Sequence, residues 1–203
     1  MDSATQPLSL PFEKIMPAGP PARILRPVAD ETPVAIEYNG LGYAVLMASA
    51  QDLEDLAFGF SRAERLVDAR DQIIDVDIHP MPQGVIVRIT LAADRIDRVL
   101  DRVRHRVSES SCGLCGIENL EQALRPVPRV GSRSRAGDAA IFRALGDLRS
   151  RQPMNAATGA VHAAAWCAPD GAILLVREDV GRHNAFDKLI GAMTRGGPAE
   201  GAM

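Results

Sequence analysis

Apolar residues along this chain recur in two rhythms. Short apolar runs from Val34 to Tyr38 and from Tyr43 to Ala48 flank Asn39-Gly40-Leu41-Gly42, a turn signal that predicts a β-hairpin. After Ser49-Ala50-Gln51-Asp52 the spacing changes. Leu53, Leu56, Ala57 and Phe60 fall at helical intervals, and Ser49 stands where a helix-opening residue is expected. This helix should pack on the hairpin. Alternation returns from Ile73 to Ile78 and from Val85 to Leu91, on either side of Pro80-Met81-Pro82-Gln83-Gly84, which predicts a second pair of strands. Next, Ile96, Val99, Leu100, Val103 and Val107 share one helical face. The other face carries Arg95, Arg98, Arg102, Arg104 and Arg106 among Asp94, Asp97 and Asp101, either as a solvated charged surface or as one facing an anion or partner.

Beyond that helix lies Ser108-Glu109-Ser110-Ser111-Cys112-Gly113-Leu114-Cys115-Gly116, whose small residues predict a mobile loop. A short helix is expected over Ile117 to Leu124, ended by Pro126 and Pro128, and a basic loop runs on to Gly137. Asp138 is placed to cap a helix through Ile141, Phe142, Leu145 and Leu148, with Pro153 as its stop. Val161 to Cys167 and Ala172 to Val176 flank Ala168-Pro169-Asp170-Gly171, a hairpin turn with Pro to preset φ and Gly to accept a positive one. A helix follows from about Arg182 to Met193. The pattern implies an α/β chain with a disordered arm over 1–22, an α+β domain over 23–107, a thiol loop over 108–116, an incomplete second domain over 117–195 and a tail over 196–203.

Composition narrows the function classes. With 203 residues, 46% hydrophobic and 24% charged, the chain has ordinary globular content, and a net charge of -3 gives no basic excess for nucleic acid. No apolar run reaches the length of about eighteen residues that a membrane helix needs, and the start to Ala22 lacks the layout of a signal peptide. The expectation is a cytoplasmic protein without nucleic-acid or membrane partners. In a reducing compartment the odd set of three cysteines points to chemistry at Cys112 and Cys115 rather than to a structural disulfide.

Four readings of that pair stand side by side. Zinc would need further ligands from Cys167, His79, His105, His162 and His183, which show no zinc-site spacing, so no metal is expected. A thioredoxin-like site would follow a strand, and incidental cysteines are the bland alternative. The fourth is a thiol that handles sulfur. The helix expected from Ile117, together with Arg104 and Arg106, favours a thiolate, and a thiolate displaces the outer sulfur of a persulfide as it does a disulfide sulfur.

The segment Arg177-Glu178-Asp179-Val180-Gly181-Arg182-His183-Asn184-Ala185-Phe186-Asp187-Lys188 crowds charged side chains at a helix start. One interpretation is a network of capping and ion-pair contacts. Another has Arg182, His183 and Lys188 holding a phosphate beside the helix N-terminus. Ala185 stands where a zinc deaminase would need its Glu, which argues against that chemistry. His162, Trp166 and Cys167 are expected to pack.

Ser111-Cys112-Gly113-Leu114-Cys115-Gly116, Thr158-Gly159-Ala160-Val161-His162-Ala163-Ala164-Ala165, the stretch Glu178 to Lys188 and the stretch Met47 to Phe60 together resemble the FdhD family of sulfur carriers, over about residues 23–192. The resemblance implies that Cys112 accepts sulfur as a persulfide from a cysteine desulfurase, with Cys115 assisting. The sulfur would pass to the bis(molybdopterin guanine dinucleotide) molybdenum cofactor, a transient ligand, before its insertion into formate dehydrogenase. It also implies a cytidine deaminase-like C-terminal domain behind an added α+β part. Family members continue past Gly191 through further strands, helices and a glycine-rich segment, whereas here Ala192 to Met203 remain, so a truncated domain is expected. Ser61 and Arg65 depart from the family's first helix. An uncovered sheet edge predicts a homodimer. The alternatives are a chaperone for cofactor or apo-enzyme that passes no sulfur, and an inactive truncated homologue.

Overall fold

The computed structural model describes residues 8–104, 127, 129–131, 133 and 135–196. Its first segment is a two-stranded antiparallel ribbon, β1 (Ser9–Lys14) against β2 (Ala22–Pro27), with Ser9 opposite Pro27 and Lys14 opposite Ala22. The expectation of a disordered arm over 1–22 is thereby corrected for residues 8–22, while residues 1–7 lie outside the described residues. Main-chain pairing needs no buried face, and every side chain of β1 stays exposed, so nothing in the composition reports it.

β3 (Thr32–Tyr38) and β4 (Leu41–Ala48) form the expected hairpin. Its turn residues, Asn39 at φ 49° and Gly40 at φ 81°, occupy the left-handed region that suits the twist of a two-residue hairpin. Helix α1 (Leu53–Ala63) carries the chain over the sheet to β5 (Ile73–Met81) and β6 (Gly84–Leu91), giving the order β4-β3-β6-β5. β6 lies parallel to β3 and the other pairs are antiparallel.

Strict alternation decides which face is buried. Val34, Ile36 and Tyr38 of β3 and Val87, Ile89 and Leu91 of β6 enter one core with Leu56, Phe60 and Leu66. On the open face Arg88 pairs with Glu37 at 3.1 Å, and His79 meets Asp77 at 2.7 Å. Inside the core, the Tyr38 and Ser61 hydroxyls hydrogen-bond at 2.8 Å, and Ser61 donates to the Ala57 carbonyl at 2.6 Å. Ser61, a departure from the family's first helix, therefore costs no unsatisfied polar group. Helix α2 (Ile96–Arg104) closes this part by burying Val99 in the same core.

The second part starts with α3 (Asp138–Leu148), where Gly137 occupies the cap position and Asp138 is the first helical residue. Pro153 opens a helix rather than merely ending one: α4 (Pro153–Thr158) begins with it, at a position where proline's fixed φ fits and its missing N–H leaves no gap. Strands β7 (His162–Cys167) and β8 (Ile173–Asp179) pair antiparallel about the expected turn, where Gly171 has φ 88°. Helix α5 (Arg182–Gly196) lies on this hairpin.

The two parts meet where α5 crosses α1. A Cβ on Gly59 would overlap the Asp187 carbonyl oxygen, and one on Gly191 would overlap the Asp55 carbonyl oxygen, so the helices touch backbone to backbone. The described residues of the two expected domains thus share an interface at α1 and α5. The thiol loop, the expected helix from Ile117 to Leu124 and residues 197–203 lie outside the described residues.

Candidate functional site

The charged motif at the end of β8 is built around Asp179, which is fully buried. Its Oδ2 accepts hydrogen bonds from the Ser49 N–H at 3.0 Å and from Lys188 Nζ at 2.6 Å. Its Oδ1 accepts from the Gly181 N–H at 2.8 Å and from Asn184 Nδ2 at 3.1 Å. Lys188 Nζ also donates to the Ser49 carbonyl at 2.9 Å, and Ser49 Oγ accepts from the Val180 N–H at 3.1 Å. Asn184 reaches the Met47 carbonyl at 2.8 Å. Each charge therefore has several partners, which is the condition under which a buried ion pair persists.

Neighbouring positions are used in the same way. Arg177 Nε donates to Asp55 at 2.7 Å, and the same carboxylate receives Arg195 at 2.6 Å. Glu178 turns the other way and accepts the N–H groups of Met154 and Asn155, both at 2.9 Å. Its carboxylate thereby caps α4 from a distant strand, which supplies the negative charge that a helix N-terminus favours.

Of the three residues expected to hold phosphate, Arg182 and His183 are exposed on the first turn of α5. Lys188 faces the opposite way. With no exposed surface and both Asp179 and the Ser49 carbonyl bound to its ammonium, it joins the two halves of the chain and presents nothing to a ligand. Ser49 is likewise not the cap of α1, a position taken by Asp52 at φ 52°. Phe186, 57% exposed and one turn beyond His183, was not singled out by the sequence, because a lone Phe in a helical stretch reads as core.

Arg95, just before α2, and Arg98 and Arg102 on it lie at a partly solvated surface but are paired with the turn after α1. Arg95 and Arg98 both bind Asp68 at 2.9 Å, and the two guanidiniums, Arg98 foremost, hold its carboxyl below the ordinary value. Arg102 binds both the main-chain oxygen and the carboxylate of Glu64. The helix leading to Cys112 is thus clamped to the turn that ends α1, while Cys112 and Cys115 themselves lie outside the described residues.

A second acidic group was not anticipated. Asp187, partly buried on α5, has its carboxyl pushed up to about 7 by burial and then by the charge of Glu64. His162 is exposed rather than packed, at the start of β7 opposite Asp179. Trp166 is half-buried, with an indole N–H that has no hydrogen-bond partner among the described residues. Burial raises the Cys167 thiol above its ordinary pKa, which suits a packing role over a nucleophilic one. The described residues contain no cluster able to hold a metal ion and no helix long and apolar enough to cross a membrane.

A sequence model described as the FdhD/NarQ family matches residues 29–202. The sulfur carrier protein FdhD of Bordetella petrii is 43% identical over 168 residues, which cover 83% of this chain and 60% of that protein. The protein of the same name from Xanthomonas campestris pv. campestris is 46% identical with the same coverage. The chain spans about 60% of the length of the curated relatives it matches. The crystal structure of a protein assigned as a formate dehydrogenase accessory protein from Desulfotalea psychrophila shares the fold. It aligns with a TM-score of 0.64 at 21% identity, over 94% of this chain and 69% of that one.

Proposed function

Because the chain belongs to the FdhD/NarQ family, we propose that it is a sulfur carrier in the maturation of formate dehydrogenase. The observation that carries this reading is the Cys112-x-x-Cys115 pair, joined to a helix that three arginines fix against the body of the protein. The Cys112 thiolate attacks the outer sulfur of a persulfide on a cysteine desulfurase. A new sulfur–sulfur bond forms at Cys112, the donor's bond breaks, and its electron pair leaves on the donor thiolate. No net oxidation occurs.

For delivery, the Cys115 thiolate attacks the outer sulfur on Cys112, the sulfur–sulfur bond at Cys112 breaks and its electron pair leaves on the Cys112 thiolate, so that the persulfide now on Cys115 would present this sulfur to the bis(molybdopterin guanine dinucleotide) molybdenum cofactor as the receiving substrate. Arg182 and His183 remain the candidates to meet its phosphates, and Phe186 offers an aromatic face beside them. Lys188 is withdrawn from this role. The protein would act in the cytoplasm as a homodimer, and the exposed apolar residues Ile141, Phe142 and Leu145 of α3 support self-association.

Mass spectrometry after incubation with a cysteine desulfurase and cysteine tests this directly. One added sulfur on Cys112, lost in Cys112→Ser, is expected. A folded wild type that acquires none would refute the carrier role. Full maturation by Cys112→Ser in cells lacking their own carrier would favour the chaperone alternative.

A further inference from the structure

Helix α3 is built inside out. The residues it turns toward the β7–β8 hairpin are mostly small: Ala140 is buried, and a Cβ on Gly171 of the turn would overlap the Ala140 carbonyl oxygen, so helix and turn meet at close range. Ala144 and Leu148, one and two turns further on, complete that side and are half-buried. The bulkiest residues point the other way. Ile141, Phe142 and Leu145 are 55%, 74% and 61% exposed. A helix whose only partner was the hairpin would place its large apolar side chains toward it and leave its alanines outside. Three large apolar residues on one exposed helix face mark a surface that meets another molecule.

The order of residues along this face indicates what covers it. Asp138, Phe142, Leu145 and Arg149 follow one another at steps of four, three and four, so they share one line along the helix, and the eleven positions from first to last make about three turns. Arg149 continues the helical path, with φ -59° and ψ -33°. A spacing of four, three and four reads the same in both directions, whereas the charges at its ends are opposite. A second copy laid antiparallel therefore sets Phe142 against Leu145 twice and Asp138 against Arg149 twice. A parallel copy would oppose Asp138 to Asp138 and Arg149 to Arg149. Both end residues are exposed and neither has an ion-pair partner among the described residues, while Arg143 on the flank is engaged with Asp170 at 3.2 Å.

Resting on the homodimer of the preceding section, we propose that α3 is its two-fold contact, packed antiparallel on the α3 of a second copy. Phe142 meets Leu145 in the centre and Asp138 meets Arg149 at both ends. A two-fold contact uses every pair twice, and antiparallel helices crossing at about 20° keep such a line of residues in touch along its length. Ile141 lies beside Phe142 and Leu145 and widens the apolar centre. A partner of different sequence has no need of a spacing that is symmetric under reversal with opposite charges at its ends.

Sedimentation velocity of the full chain over a concentration series, at an ionic strength of about 0.05 M where exposed charges are little screened, gives the dimer dissociation constant of each variant. Leu145→Glu puts a charge into the centre and should weaken the dimer at least about thirtyfold. Asp138→Arg and Arg149→Asp each turn both end contacts into like-charge pairs and should weaken it about tenfold. Both reversals in one chain restore opposite charges across the axis, so the double variant should return to within about threefold of wild type. All three positions are exposed, so the fold is retained, and thermal melts verify it. A wild-type dimer whose constant is unmoved by Leu145→Glu leaves the homodimer standing and overturns the α3 contact. A double reversal no tighter than its two parents does the same, because rescue belongs to the antiparallel register alone. A wild type that stays monomeric at about 0.1 mM removes the homodimer and this contact together. Protection of residues 138–149 from hydrogen exchange that appears only when a cysteine desulfurase is added gives the face another occupant and also overturns the proposal.

Discussion

Replacing Lys188 by Met tests what holds the two halves together. The substitution keeps the apolar stem and removes a charge that is fully buried. It deletes the 2.6 Å bond to Asp179 and the 2.9 Å bond to the Ser49 carbonyl, and leaves Asp179 with three uncharged donors, from Ser49, Gly181 and Asn184. Breaking a buried pair from one side costs about 3–5 kcal/mol, and the three surviving donors place this case near the lower figure. With a urea dependence of about 2 kcal/mol per molar, the unfolding midpoint should drop by about 1.5 M. Combining Lys188→Met with Asp179→Asn removes the orphaned charge, so the double variant should be at least about 1 kcal/mol more stable than the sum of the single losses. Equilibrium unfolding followed by circular dichroism provides both numbers. Strict additivity, or a loss under about 1 kcal/mol for Lys188→Met, would show that the pair does not join the halves.

Two further outcomes follow from the same interface. Asp187 has a folded-state value of about 7 against an ordinary 3.8, so its favourable contribution is complete below the lower value and is lost as pH rises through the upper one. Between about pH 5 and about pH 8 wild type should lose up to about 3 kcal/mol that Asp187→Asn keeps, and parallel pH profiles of the two proteins in urea titrations would refute the assignment. Gly191→Ala puts a methyl into the Asp55 carbonyl and should cost more than about 3 kcal/mol, whereas Gly146→Ala on α3, where a Cβ has open space, should be neutral or stabilising in thermal melts.

The sheet and its crossover helix were legible because one face is buried and one is wet, so β3 and β6 alternate and the Asn39-Gly40 turn fixes their neighbour. The ribbon β1–β2 escaped for the opposite reason, since it buries no face of its own. Pro153 signals a stop and a start equally, and the carboxylate that caps α4 comes from Glu178, 24 positions beyond Met154. Charge content marked the stretch from Arg177 to Lys188 as either a network of contacts or a phosphate cradle. It could not separate exposed Arg182 and His183 from sealed Lys188, whose carbonyl partner Ser49 is 139 positions away. Asp187 was invisible as a titrating group because the burial that raises it, and after that the charge of Glu64, come from packing against a distant part of the chain.

The bond from Ser49 to Asp179 spans 130 positions of chain. A ribosome adding about 5–20 residues per second needs on the order of ten seconds to travel that distance. Throughout that interval the loop between β4 and α1 waits with amide and carbonyl groups whose folded-state partners lie at the far end of the chain. Nascent chains interrupted before Lys188 should therefore accumulate in a form that chaperones and proteases recognise.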